Sequence, residues 1–205
     1  MFEIFSENFR PDGKGALEIG AVQDVGNMPE ITELFRRYGG MSFQDGLYRV
    51  IRSADLSEWN LRIAAAFPKF KENVVCFGYD WLGTVFAADS RKIVDGQPGI
   101  IMFEPGTGKA LNVPANVKNF HDIGLKNFGE AALASSFHQK WLSSGGSIPA
   151  YDQCVGYKRP LLLGGKDDVA NLEISDVDVY WHLMSQIIKK VQGLPIGTRI
   201  KTTIS

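Results

Sequence analysis

Two cysteines, three histidines and two glycine turns that each lead into a lysine are the residues of this chain whose types could do chemistry. Cys154, with His182 as base and Asp178 to orient it, has the composition of a thiol triad. That chemistry needs an activated thiolate within hydrogen-bond reach of an imidazole. Cys154 instead opens the apolar run Cys154-Val155-Gly156-Tyr157, with no nucleophile motif around it, so the residues read as a core cysteine and a helix histidine. Ser135-Ser136 and Ser143-Ser144 read as helix-face and loop serines. His121, His138 and His182 have no second His or Cys three or four residues away, which is the spacing a zinc site uses. The segment Pro105–Ala110, PGTGKA, invites a phosphate-loop reading. Such a loop needs Gly five residues before its second Gly and Ser or Thr after the Lys, where this chain has Phe103 and Ala110. Leu163–Asp168, LGGKDD, fails in the same way, with Pro160 and Asp167 at those places. Both read as turns. The sequence assigns no catalytic residue, no metal ligand and no cofactor.

What remains is a pattern of charge. Between Asp167 and Ile188 stand five acids, Asp167, Asp168, Glu173, Asp176 and Asp178, and no Lys or Arg. Acids favour a helix N-terminus, so part of the run is helix chemistry and a solvated face. The functional reading is an acidic docking patch for a basic partner, which acts on association rate and specificity more than on raw affinity. Trp81, in the short link Asp80–Leu82, is the second candidate. At a hairpin tip it is either an exposed anchor for a partner or a ring packed back onto the sheet.

The bulk numbers exclude other classes. The chain has 205 residues, 44% of them hydrophobic, enough for one sizeable core. Its 22 Lys and Arg are scattered against 23 Asp and Glu, without the basic stripe that a nucleic-acid binder shows. No run approaches the roughly 18 apolar residues of a membrane span. The start, MFEIFSENFRPDGKG, is acidic early and lacks the apolar core of a signal peptide. Cys76 and Cys154 both sit in apolar runs and read as buried thiols in a reducing compartment, which points to a cytoplasmic protein.

Periodicity then places the elements. Helices are expected over Met28–Tyr38, capped by Asn27 with Glu30 at its third position, and over Ala54–Ala66, stopping before Pro68. A strand is expected over Gly46–Ile51. Two hairpins follow, Asn73–Tyr79 with Gly83–Ala88, and Gly99–Phe103 with Lys109–Val113. Helical signals return over Val117–Ile123 and Glu130–Leu142. Gln153–Leu163 reads as a strand with an edge or bulge at Pro160. The clearest helix begins at a Ser175 cap, buries Val177, Tyr180, Met184, Ile187, Ile188 and Val191, and closes at Gly193 and Pro195. Arg199–Ile204 reads as a last short strand. Strand runs cluster centrally, so the expected class is α+β, a mainly antiparallel sheet flanked by helices and ending in a capped amphipathic helix.

Several of these segments, taken together and in order, carry a family resemblance. Cys76–Asp89 (CFGYDWLGTVFAAD), Ile100–Pro114 (IIMFEPGTGKALNVP) and Cys154–Trp181 resemble bacterial GAD-like proteins with a type VI secretion immunity (Tdi-type) C-terminal domain. Arg37–Val50 (RYGGMSFQDGLYRV) is similar to their GAD-like N-terminal part. The resemblance implies a GAD-like helical part over residues 1–70 and an immunity-type α+β part over 71–205, sharing one core. It implies a fold related to the SMI/SUKH immunity group. It also implies a non-enzymatic immunity protein whose partner is a cognate effector toxin, typically a DNase, and no catalytic residue is carried over with it. One departure stands out: inhibitors of basic nucleases are often strongly acidic, whereas this chain has a formal charge of −1. The alternatives at this point are an interaction scaffold of the same fold without a toxin, and a cryptic hydrolase using Cys154 or a serine.

Overall fold

A computed structural model describes residues 1–13, 22, 24–194 and 198 of the chain. The elements expected over Pro195 and Arg199–Ile204 lie outside the described residues. The class is α+β, as the residue pattern indicates.

The centre is a six-stranded antiparallel meander: β1 Ser42–Phe43, β2 Tyr48–Val50, β3 Val74–Asp80, β4 Val85–Val94, β5 Gln97–Glu104 and β6 Lys109–Asn116, hydrogen-bonded in that order. Strands from both sides of residue 70 share this sheet, since Tyr48 pairs with Asp80 and Val50 with Gly78. The near-continuous apolar run of β3 has a physical reason: the sheet is covered on both faces. Tyr48 and Phe77 face the aromatic cluster around His121. Arg49 and Tyr79 face the other way, where Trp59 stacks on Tyr79 with ring centroids 4.6 Å apart.

The first face is covered by α1 Glu3–Asn8 and by a broken helical stretch. That stretch comprises α4 Val117–Asn119, a π-helical turn Phe120–Gly124, α5 Leu125–Leu133 and α6 Ser135–Ser143. The single helix expected over Glu130–Leu142 is cut at Ala134, which takes a left-handed conformation with φ 48°. His121 is fully buried at the π turn. Its Nδ1–H donates to the Val117 carbonyl at 2.7 Å, which leaves Nε2 to accept from the Tyr48 hydroxyl at 2.9 Å. Burial pushes this imidazole down to about 4.

The second face is covered by α3 Leu56–Ala66, which buries Leu56, Trp59, Ile63 and Ala66. Between α1 and β1 lies α2 Pro29–Tyr38, with Met28 rather than Asn27 at its cap position and no side-chain capping bond. Proline at the first helical position already lacks the N–H that a cap would satisfy.

After α6 the chain returns as a separate two-stranded ribbon, β7 Gln153–Tyr157 and β8 Leu172–Asp176, and then α7 Val177–Val191. The strand expected to run to Leu163 stops at Tyr157, and Leu161–Leu163 is a short 3-10 turn. Gly156 lets the ribbon lie on the helix, because a Cβ there would meet the Tyr180 ring at 2.6 Å. The helix packs against α3 and both ribbon strands, burying Val177, Tyr180, Trp181, Met184 and Ile188.

Candidate partner-binding face

The thiols that the sequence places in apolar runs are buried in the structure. Cys76 and Cys154 are fully buried free thiols, and burial pushes both well above the ordinary thiol range, the opposite of activation. His182 is exposed, with its Nε2 on the Gln186 amide at 2.8 Å. Asp178 serves Arg62 instead. His138 is buried against Trp81, and burial lowers its pKa. Among the described residues no group of three His, Cys, Asp or Glu could hold a metal ion.

The two glycine turns are packing devices. Gly108 N–H closes the first turn on Glu104 at 2.9 Å, and a Cβ on Gly106 would strike the Tyr157 ring at 2.7 Å. In the second, a Cβ on Gly165 would fall 1.9 Å from the Arg159 carbonyl oxygen. The first turn packs on the Tyr157 ring of the ribbon, and the second on the Arg159 backbone just beyond β7.

Trp81 is not an exposed anchor. It is 0% exposed, its indole N–H donates to the Leu133 carbonyl at 2.9 Å, and its ring packs edge-on to Phe137. Of the two sequence readings, packing back holds. The cause is local: Asp80 Oδ1 accepts from the backbone N–H of Leu82 at 2.9 Å and of Thr84 at 2.8 Å, folding the tip inward. Burial pushes the Asp80 carboxyl up to about 8. The tip is then sealed by the ribbon and α7, with Val155 N–H donating to the Trp81 carbonyl and Trp181 Nε1 donating to the Gly83 carbonyl at 2.8 Å.

The five acids lie around the ribbon and the start of α7, and four of them have partners inside the protein. Asp167 accepts from the Tyr157 hydroxyl at 2.6 Å. Asp168 caps the short turn Val169–Asn171 through the Asn171 N–H at 3.1 Å. Asp176, not Ser175, is the N-cap of α7, accepting from the N–H groups of Asp178 and Val179, each at 2.9 Å. Asp178 holds Arg62 of α3 at 2.8 Å, while that guanidinium lies over the Trp59 ring. The run of acids without a basic residue in sequence is therefore partly neutralised in space by a cation 116 residues away. Glu173 is exposed and, among the described residues, its carboxylate has no ion pair or hydrogen-bond partner.

These assignments separate by mutation. Asp176→Ala should lower stability by about 1 kcal/mol through loss of the cap, whereas Glu173→Ala should stay within about 0.5 kcal/mol of the unmodified protein. Thermal unfolding of the two variants checks this.

Beside Glu173 runs a groove that sequence reasoning did not find. It has a volume of about 200 Å³ and lies between β8 and α7, lined by Glu173, Ser175, Val179, Leu183 and Ile187, with Lys158 and Lys190 also on its wall. Val179 is 56% exposed. The periodic face of α7 signals its buried side; Val179 and Leu183 fall on the complementary side, where the pattern is silent, and Ile187 stands at the border of the two. A second apolar cleft lies over β6 and α5, where Phe128 is 64% exposed at a residue whose φ of −129° departs from helical geometry.

Residues 120–188 match the family model described as T6SS immunity protein Tdi1, C-terminal. That segment runs from the π turn through the ribbon to the end of the buried face of α7, and so contains all five acids and the groove lining except Lys190. A crystal structure of Atu4351 from Agrobacterium tumefaciens shares the fold, with a TM-score of 0.59 over 91% of this chain and 89% of that one at 14% identity. No curated protein sequence matches the chain. The match to the type VI secretion immunity domain supports an immunity role, with an effector toxin as partner. No helix among the described residues is long and apolar enough to cross a membrane.

Proposed function

We propose that this protein is a non-enzymatic immunity protein that binds a cognate secreted toxin, a nuclease effector, and neutralises it by covering its active site or substrate groove. The observation that carries the reading is the match of residues 120–188 to the type VI immunity domain. The chemistry agrees with it: the thiols are buried and deactivated, and the glycine turns pack tightly on the Tyr157 ring and on the Arg159 backbone. A stable complex of this kind buries about 1,200–2,000 Å² in total. We place the complex in the cytosol, and assign the face around Glu173, with the outer edges of Asp167, Asp168, Asp176 and Asp178, to the charged part of the contact. A near-neutral chain then steers a basic partner by a local patch rather than by its net charge.

Co-expression with each effector encoded beside the gene tests the reading. The expected outcome is restored growth with one of them and co-elution of that toxin with the tagged protein. Survival of no toxin-expressing strain, and no co-eluting effector, would refute it.

A further inference from the structure

The hydrogen-bond parity of the ribbon leaves one strand edge open. Lys158 N–H donates to the Asn171 carbonyl at 2.8 Å and Val177 N–H to the Asp152 carbonyl at 2.9 Å. Both pairs continue the register in which Gly156 faces Glu173 and Cys154 faces Ser175. In an antiparallel ladder the bonded pairs alternate, so the pairs between, Val155 with Ile174 among them, turn their N–H and C=O groups outward. On the β7 side those groups are used: Val155 N–H reaches the Trp81 carbonyl and Tyr157 N–H reaches the Tyr180 hydroxyl at 3.2 Å. On the β8 side, among the described residues, no strand pairs with Ile174. Natural sheets blunt such edges with proline, lysine or a bulge. The five residues of β8, Leu172-Glu173-Ile174-Ser175-Asp176, include no proline or lysine and pair to β7 without a register shift, so its acids Glu173 and Asp176 are the only charges on the edge.

The open edge coincides with the groove. Val179 and Leu183, both exposed, stand along α7 beside Glu173 and Ser175 of β8. Backbone donors and acceptors, an apolar trough and the Glu173 carboxylate thus lie together, while the Lys158 ammonium on the same wall donates to the Ala170 carbonyl at 3.0 Å. We propose that β8 receives an extended segment of the partner protein. That segment adds as a strand at Ile174, places an apolar side chain against Val179 and Leu183, and sets a Lys or Arg beside Glu173. Main-chain bonds supply affinity in this mode and the alternating side chains supply specificity. The inference rests on the immunity reading for the identity of the partner, and on the edge itself for the chemistry.

Two arms test it separately. In the first, binding of the rescuing effector is measured for Ile174→Pro and Ile174→Ala. Both remove the isoleucine side chain, but only proline removes the outward N–H, and edge positions accept proline without loss of a ladder bond. The expected result is about tenfold weaker binding for the proline variant than for the alanine variant, together with weaker and less salt-dependent binding for Glu173→Arg. Equal binding by the two Ile174 variants, or loss of binding only on Phe128→Asp at the other apolar cleft, would overturn the groove while leaving immunity standing. In the second arm a synthetic peptide, acetyl-Thr-Val-Arg-Val-Lys-Val-amide, is titrated into the full chain by NMR. The expected result is a shift of the Ile174 amide that is absent with the peptide N-methylated at alternate residues. No shift, or a dimer of the free chain in which the Ile174 amide is already protected, would overturn the proposal. A positive peptide arm with no effector bound would refute immunity and retain the edge.

Discussion

Replacing Trp81 with alanine should cost about 4 kcal/mol of stability, the range of large-to-small changes at fully buried aromatic sites. Domains of this size have total stabilities of about 5–15 kcal/mol, so the variant should be close to unfolding. The indole is the point where three units meet. It belongs to the β3–β4 tip, donates to Leu133 at the end of α5, and its backbone carbonyl accepts from Val155 of the ribbon. Trp81→Phe should lose about 1–2 kcal/mol instead, because the ring still fills most of the space while the Leu133 carbonyl is left without its donor. Urea denaturation of both variants measures the difference. A loss below about 1 kcal/mol for the alanine variant would mean that the indole does not fill the space between the tip and the end of α5.

The second large effect depends on pH and comes from His121. In the folded protein its pKa is lowered to about 4 from 6.5, because burial disfavours the charged ring and both nitrogens are already satisfied in the neutral form. The unfolded chain binds the proton first as pH falls, so the stability His121 provides is full above pH 6.5 and is lost on the way down to pH 4. The loss amounts to about 3 kcal/mol. Asp80 acts in the opposite sense. With its folded pKa raised to about 8, it contributes stability below the ordinary carboxylate range that is lost as pH rises towards 8. The two slopes oppose each other between pH 4 and 6.5, so the measurement that isolates His121 is a difference. The stability gap between the unmodified protein and His121→Gln should shrink by about 3 kcal/mol from pH 7 to pH 4. A gap independent of pH would show that folding leaves the His121 pKa at its ordinary value, and so that burial does not disfavour the charged ring.

The β meander was legible because its strands are long, apolar and separated by turn residues, and α7 because its buried face repeats over four turns. Boundaries set by tertiary contacts were not. Leu172–Asp176 reads as an acidic helix lead-in, yet it is a strand because β7 supplies its ladder. The helix over Glu130–Leu142 looks continuous by periodicity, and Ala134 breaks it with a left-handed backbone that alanine sequence statistics disfavour. The short α1 has Phe5 as its one buried residue and gives no periodic signal. At the candidate face the acids were visible as a run, but their occupations were not. Capping by Asp176 and Asp168 involves backbone N–H groups, and Arg62 comes from a helix 116 positions away. The groove was illegible for a related reason, since it is made by the parity of a two-stranded ladder and by the outer side of a helix.

The central claim, that this protein neutralises a toxin by binding it, is tested most directly by co-purifying the tagged full chain with the effector encoded beside its gene while scoring growth of the co-expressing cells. The account predicts a stable complex and growth equal to that of cells without toxin. A folded, active effector that kills those cells and elutes apart from this protein would contradict it.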